Sequence, residues 1–249
     1  MTERIWLIGA SEGIGAALAL RLAQDGHRIA LSARSADRLD ALKNELEGKG
    51  HLALPVDVAD VSSISAAFGR IVEEWDGLDT LIYSAGAYNP MNAKTLDLAR
   101  IETMLDTNIT GAFRAIAVVI PTMLKRNAGR IVLVGSVSGY RGLPNAMGYG
   151  ASKAALHHLA ENLWLDLADT NLRVQLVAPG FVRTRLTDKN SFKMPLLMSP
   201  EDAARKIAAG LATRRFEIHF PWQLSRLLKT LSILPSALYF RLTRALLKL

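Results

Sequence analysis

The chain has 249 residues, 50% of them hydrophobic and 21% charged, and no cysteine. This length and apolar content suit one α/β domain with a sizeable core, and the lack of cysteine excludes a disulfide framework and a thiolate metal site, in keeping with a reducing compartment. The formal charge of +7 raises nucleic acid or an anionic membrane as partners, but the body of the chain has no basic stripe with interleaved aromatics, which argues against nucleic acid.

Met1-Thr2-Glu3-Arg4 is followed at once by Ile5-Trp6-Leu7-Ile8, a first strand with neither the apolar length nor the cleavage pattern of a signal peptide, so a cytoplasmic location is expected. The strand leads into Gly9-Ala10-Ser11-Glu12-Gly13-Ile14-Gly15, and residues 16–22 follow with helix formers at apolar spacing. Gly9 permits the tight turn, Gly13 lets backbone N–H groups approach a phosphate, and Gly15 lets the helix pack on the sheet. A glycine trio alone is often only a tight turn. Between a strand and a helix it reads as a nucleotide site.

The second strand, Arg28–Ser32, ends at Ala33-Arg34, where dinucleotide folds place the residue that meets the adenosine ribose. An acid there accepts from the 2′-hydroxyl of NAD, whereas an arginine receives the 2′-phosphate of NADP, so Arg34 points to NADP with NAD as the alternative. The competing reading makes Arg34 a surface partner of Asp37. A helix over 39–47 ends at Gly48, and 51–58 reads as a third strand whose terminal Asp57, next to Val58, could accept from an adenine amino group. Residues 61–75 read as helix and Thr80–Tyr83 as a fourth strand ending in Ser84-Ala85-Gly86. The alternation predicts an α/β fold, a single-domain doubly wound parallel sheet of Rossmann type with helices on both faces.

A helical stretch over 96–125 carries Asn108 within an apolar face, and Arg130–Val134 is the fifth strand. The Gly/Ser/Pro-rich piece after it lies at the carboxyl edge, where open α/β sheets bind ligands. The next helix begins at Tyr149. Tyr149 and Lys153, four apart, leave one face of it one turn apart. A phenol has a pKa near 10, a neighbouring ammonium lowers that value, and such a tyrosine exchanges a proton with a substrate oxygen to which Ser136 could donate a hydrogen bond. Taken alone, the same residues read better as a helix cap, a solvated charge and an ordinary loop serine, and only their context points to chemistry. A sixth strand over 172–178 runs into Pro179-Gly180-Phe181-Val182-Arg183-Thr184. Residues 185–198 then lack a clean period and form a natural substrate lid, where Phe192, Met194, Leu196, Leu197 and Met198 favour a lipophilic ligand.

In order and spacing, the Gly9–Gly15 turn, Asp57-Val58, Ser84-Ala85-Gly86, Asn108, Ser136, Tyr149/Lys153 and Pro179-Gly180 resemble the signatures of the short-chain dehydrogenase/reductase family, from about Arg4 to His219. The resemblance implies an oxidoreductase moving hydride between NADP(H) and a carbonyl or secondary alcohol, without a metal. It implies Tyr149 as acid/base, with Lys153 lowering its pKa and donating to the nicotinamide ribose. Ser136 would hold the substrate oxygen, and Asn108, through a local helix distortion, a water that relays protons from Lys153. Cofactor contacts are implied at Gly9, Ser11, Gly13, Ile14, Gly15, Arg34, Asp57, Val58, Ser84, Ala85, Gly86, Tyr149, Lys153, Pro179, Gly180, Val182 and Thr184, and the assembly is expected to be a homo-oligomer, dimer or tetramer. Three positions depart from the family pattern: Ile8 stands for a threonine, Ser84 for an asparagine, and Glu12 where some NADP-using relatives are basic, which leaves Arg34 to act alone. His157 and His158 read as helix-surface or packing residues. The rival reading is a catalytically silent nucleotide-binding redox sensor or membrane-docking protein, against which the intact Asn108, Ser136, Tyr149 and Lys153 count.

The core should close with a strand over 216–219, giving a dinucleotide-binding and catalytic unit over 1–220 and a tail over 221–249. In the tail Leu224, Leu227, Leu228, Leu231 and Leu234, then Leu238, Tyr239, Leu242, Ala245, Leu246 and Leu249, follow helical spacing, and Pro235 marks the second helix start. Every charge after Glu217 is basic, namely Arg226, Lys229, Arg241, Arg244 and Lys248. Charges and Pro235 interrupt any bilayer span. The two amphipathic helices suit an anionic membrane surface, a cap on the substrate cleft or a subunit interface.

Overall fold

The computed structural model describes residues 2–190 and 192–247. Its strands β1 (Arg4–Ile8), β2 (Arg28–Ser32), β3 (Leu52–Ala53), β4 (Thr80–Tyr83), β5 (Gly129–Val134), β6 (Leu172–Pro179) and β7 (Glu217–Phe220) form one parallel sheet in the order β3-β2-β1-β4-β5-β6-β7. The chain walks outward from β1 to β3 and returns to lay β4 against the other side of β1. The strand order therefore reverses between β1 and β4, and a crevice opens beyond their carboxyl ends.

Side-chain alternation along β1 sorts the layers. Ile5 and Leu7 pack with α1 (Gly13–Gln24), α2 (Ala36–Glu45) and α7 (Pro200–Leu211), whereas Trp6 and Ile8 pack with α3 (Val61–Trp75), α5 (Gly111–Arg126) and α6 (Met147–Asp166). With both faces covered, the inner strands are apolar throughout. Trp6, Ile5, Leu7 and Ile8 are fully buried, each such side chain contributing about 1.5–3 kcal/mol relative to exposure.

Several boundaries differ from the sequence reading. The third strand is far shorter than 51–58. Leu54 N–H donates to Leu31 (2.9 Å) and Val56 N–H to Ala33 (2.9 Å), so single bonds to β2 continue past Pro55, which faces the open edge of the sheet, while the regular strand is confined to Leu52–Ala53. The second helix starts at Ala36, after Ser35, and stops at Glu45 because Leu46 turns to an extended conformation. The stretch over 96–125 is α4 (Leu98–Leu105), a π turn (Asp106–Thr110) and α5 in succession. By length and composition Leu98–Arg126 could cross a bilayer; here Ala112, Ala115, Ile116, Val119 and Met123 are buried in the core, and Arg114 pairs with Asp106 at 2.8 Å.

The tail forms the two expected helices, α8 (Trp222–Ser232) and α9 (Ser236–Leu247). Leu224, Leu228, Leu231 and Leu234 turn toward the body, while Leu227 and Leu238, expected on the apolar stripe, are exposed with Trp222, Ile233 and Phe240. Lys248 and Leu249 lie outside the described residues, as does the side chain of Leu246.

Candidate active site

A cleft of about 580 Å³ runs along the carboxyl edge at the β1/β4 divergence. Its floor is the glycine turn. A Cβ on Gly9, whose φ is +92°, would lie 2.4 Å from the Ala85 nitrogen, and one on Gly15 would lie 2.0 Å from the Gly9 carbonyl oxygen. Neither position has room for a side chain, so the turn and the loop after β4 close on one another. Gly13, Ile14 and Gly15, the first residues of α1, line the cleft, and the N-cap residue Glu12 gives their amides no side-chain acceptor. The positive end of α1 is therefore presented to an anionic group, the arrangement a pyrophosphate requires.

Gly9, Ser11, Gly13, Ile14, Gly15, Arg34, Asp57, Val58, Ser84, Ala85, Gly86, Tyr149, Lys153, Pro179, Gly180, Val182 and Thr184 all line this one cleft. Arg34 is exposed there and makes no ion pair among the described residues, so the surface pair with Asp37 does not form. Asp57 uses Oδ1 to accept from the Ala59 N–H at 3.0 Å. Glu12 is not an isolated departure from the family pattern. It pairs with Arg38 at 3.1 Å and with Arg185 at 2.9 Å, both lining the cleft and both missed by sequence reasoning. Neither had a local signal: Arg38 is one of many exposed charges on α2, and Arg185 comes from the far lid. Where Ile8 replaces a threonine, the backbone alone joins the turn to β4, through Ser84 N–H to the Ile8 carbonyl at 2.8 Å.

At the other end stand Ser136, Tyr149 and Lys153. Helix α6 begins two residues earlier than expected, at Met147, which places Tyr149 in its first turn and Lys153 one turn on. Ser136 Oγ accepts from Ser138 N–H (3.2 Å) and from Ser138 Oγ (3.0 Å). Lys153 is buried; its Nζ donates to the Val134 carbonyl at 2.8 Å and lies 5.6 Å from the centre of the Tyr149 ring. Burial pushes Lys153 down to about 8. Burial likewise pushes Tyr149 up to about 12, against the lowering influence of Ser136. The net displacement of the phenol in the cofactor-free protein is thus upward: desolvation disfavours the phenolate more than Ser136 favours it.

Asn108 is the one predicted residue that does not line the cleft. It sits fully buried in the π turn, where Oδ1 accepts from Ala87 N–H (2.6 Å) and Nδ2 donates to the Ala87 carbonyl (3.0 Å) and Ser152 Oγ (2.8 Å). The expected helix distortion is present, and it ties α4 and α5 to the loop after β4 and to the helix bearing Lys153. His157, next on that face, is buried, its Nε2 has no partner among the described residues, and burial pushes its pKa down to about 4. His158 is exposed and bonded to Asn162.

The lid closes over Tyr149 through residues the sequence did not single out. Tyr88 meets the Tyr149 ring edge-on with centroids 4.8 Å apart, its hydroxyl donates to Asn190 Oδ1 (2.6 Å), and Lys189 Nζ donates to the Tyr88 carbonyl (2.7 Å). Phe192, half exposed, packs edge-on against Phe181 at 5.7 Å.

Residues 3–194 match the model of the family described as short chain dehydrogenase. An uncharacterised oxidoreductase of Myxococcus xanthus is 39% identical over 250 residues, covering 99% of this chain and 98% of its own length, so the likeness runs through the tail. A sulfoacetaldehyde reductase of Chromohalobacter salexigens is 37% identical over 190 residues, 75% of each chain. Among solved structures, a short-chain dehydrogenase of Sphingobium yanoikuyae in complex with NADPH superposes with a TM-score of 0.81 at 28% identity, covering 94% of this chain and 97% of its own.

Proposed function

Because the chain belongs to the short-chain dehydrogenase family of oxidoreductases, we propose that it interconverts a carbonyl and a secondary alcohol with NADP(H), residues 1–220 carrying the cofactor and the chemistry. The observation that carries this reading is the convergence of Ser136, Tyr149 and Lys153 on the same cleft as the glycine turn and Arg34. The cleft fits the cofactor: the Gly9–Gly15 cradle admits no side chain, the α1 amides face an anion, and Arg34 is free for a 2′-phosphate. The NADPH in the Sphingobium yanoikuyae relative supports the same choice.

Bound NADP(H) supplies or accepts the hydride; the rest falls to the chain. In the direction of reduction, the Tyr149 phenol gives its proton to the substrate oxygen as the carbonyl carbon is reduced. A pKa pushed up to about 12 keeps that proton in place at neutral pH. Ser136, whose Oγ already accepts from Ser138, directs its own proton toward the same oxygen. Lys153 is poised one turn below to restore the Tyr149 proton and to donate to the ribose, and Asn108 fixes the backbone beside it. Alcohol oxidation runs the same steps in reverse.

The substrate is read as lipophilic, supported by Phe181, Phe192, Leu196 and Leu197 at the lid. The tail is read as a contact with an anionic membrane surface, supported by exposed Trp222, Leu227, Ile233 and Phe240 beside Arg226, Arg241 and Arg244. This gives a cytoplasmic, peripherally membrane-bound homo-oligomer. The chemistry is tested by Tyr149→Phe against a panel of ketones and alcohols, long-chain ones included. Turnover should fall roughly 10²–10⁴-fold, the range for loss of a general acid, with NADPH affinity nearly unchanged. Wild-type turnover in that variant would overturn the mechanism, and silence of the wild type across the panel despite tight NADPH binding would favour a redox sensor.

A further inference from the structure

Ser136 and Tyr149 are joined by the loop over 137–148, so the conformation of that loop fixes how the two side chains face each other. On its inner side the loop lies against α6: a Cβ on Gly139 would fall 2.8 Å from the Lys153 carbonyl oxygen and 2.9 Å from His157 Nε2. On its outer side Arg141 and Gly142 are bound to the tail, and Tyr140 to a carboxylate of β7 that the tail also holds. Tyr140 donates its hydroxyl to Glu217 (2.5 Å), a carboxylate also paired with Lys229 of α8, whose ammonium lies 5.3 Å from the Tyr140 ring centre. Arg141 Nη1 donates to the carbonyls of Leu231 (3.2 Å), Ser232 (2.9 Å) and Leu234 (2.6 Å), and Nη2 to Ser236 Oγ (3.1 Å). The Gly142 carbonyl accepts from the Tyr239 hydroxyl at 2.5 Å, and the Arg141 guanidinium stacks 4.1 Å from that tyrosine's ring centre.

The Arg141 contacts have a clear physical logic. The last carbonyls of a helix have no intrahelical donor and carry the negative end of its dipole, and a guanidinium offers several donors in a rigid fork. Arg141 therefore caps α8 from outside the helix, holds the α8–α9 turn, and covers the otherwise buried ring of Tyr239. No other charged side chain of the loop over 137–148 is available for this, since Arg141 is the only one.

We propose that the tail is a brace for the reacting centre and that Arg141 is its positioning residue, holding the loop that sets Ser136 against Tyr149. The proposal rests on the reading that these two residues do the chemistry, and it predicts damage confined to one half of the cleft. The glycine turn and Arg34 lie across the sheet, on the β1 and β2 side, and do not touch the brace.

The test compares wild type with Arg141→Ala, and with Tyr140→Phe as a milder variant that removes only the hydroxyl bound to Glu217. Hydrogen exchange should quicken in 137–148 and in the tail while 9–24 stay as in the wild type. In turnover, Arg141→Ala should lose at least tenfold in kcat with NADPH affinity within twofold of wild type, and free guanidinium should restore part of the loss. Tyr140→Phe should give the same pattern at smaller size. Unchanged exchange over 137–148 overturns the proposal whatever the activity. A parallel loss of kcat, NADPH binding and protection over 9–24, without guanidinium rescue, also overturns it, because it reports general unfolding. If the wild type itself turns over nothing, the functional reading fails while the exchange measurement still decides the brace.

Discussion

Lys153 carries a charge in a place built to exclude water, and replacing it with methionine separates the cost of that charge from its chemistry. The side chain is buried, its one hydrogen-bond acceptor among the described residues is the Val134 carbonyl, and burial moves it from the ordinary lysine value of 10.5 to about 8. At 1.36 kcal/mol for each tenfold change in proton affinity, that gap is about 3 kcal/mol of native-state penalty. Below about pH 8 native and unfolded chains both hold the proton and the penalty is present in full. Between about 8 and 10.5 the native protein releases a proton that the unfolded chain keeps, so stability rises with pH, by at most ~1.4 kcal/mol per pH unit. Above 10.5 both states are neutral and the penalty is gone. Tyr88, Tyr140 and Tyr149 work the other way: burial raises each, the native protein keeps protons that the unfolded chain loses above about 10, and stability falls there. Those tyrosines remain in Lys153→Met, so the difference between the two proteins isolates the lysine. Urea unfolding of cofactor-free protein at a series of pH values should show the wild type gaining on Lys153→Met by about 3 kcal/mol between pH 7 and 10.5. The lost hydrogen bond to Val134 adds a constant offset and leaves that slope intact. A difference flat across the interval would mean that the Lys153 ammonium is solvated or compensated, and the desolvation argument would fail.

Two further predictions concern the ends of the molecule. Arg34→Asp should lower the ratio of kcat/KM for NADPH over NADH by tenfold or more, since a hydrogen bond to a charged group contributes about 1.5–3 kcal/mol; a wild type that already prefers NADH would sink the assignment of Arg34. The full-length protein should float with vesicles containing anionic phospholipid at low salt and release at high salt, and Arg241→Glu with Arg244→Glu should abolish flotation while keeping turnover of a soluble substrate. Those exposed positions are better probes than truncation after Phe220, which would also remove the carbonyls that Arg141 caps; protein that stays soluble at low salt refutes the membrane contact.

What the sequence disclosed and what it withheld divide along a physical line. The glycine turn, the strand ends and the Tyr149/Lys153 spacing are local: each depends on backbone geometry over a few residues, so composition and period carry them. The length of the third strand was not legible: 51–58 read as one strand, and its limit at Leu52–Ala53 is set by pairing with β2 rather than by its own composition. The cluster of Glu12 with Arg38 and Arg185, the closure of Tyr88 onto Asn190, and the brace from Arg141 to α8 are different. They join groups from 26 residues apart, as in Glu12–Arg38, to 173 apart, as in Glu12–Arg185, and nothing in the spacing of one partner announces the other. The ionisation of the site is withheld for a further reason. Sequence names Tyr149 and Lys153 as neighbours, and an ammonium beside a phenol suggests a lowered pKa; but the sign depends on which is larger, the attraction between the groups or the loss of water around each. That comparison requires the burial created by α6, β5 and the lid together, and here desolvation wins for both. A phenol raised and a lysine lowered are each held closer to neutrality, so Tyr149 keeps its proton and Lys153 gives its own up nearer physiological pH than a solvated lysine would, a balance that lies in the packing and not in the motif.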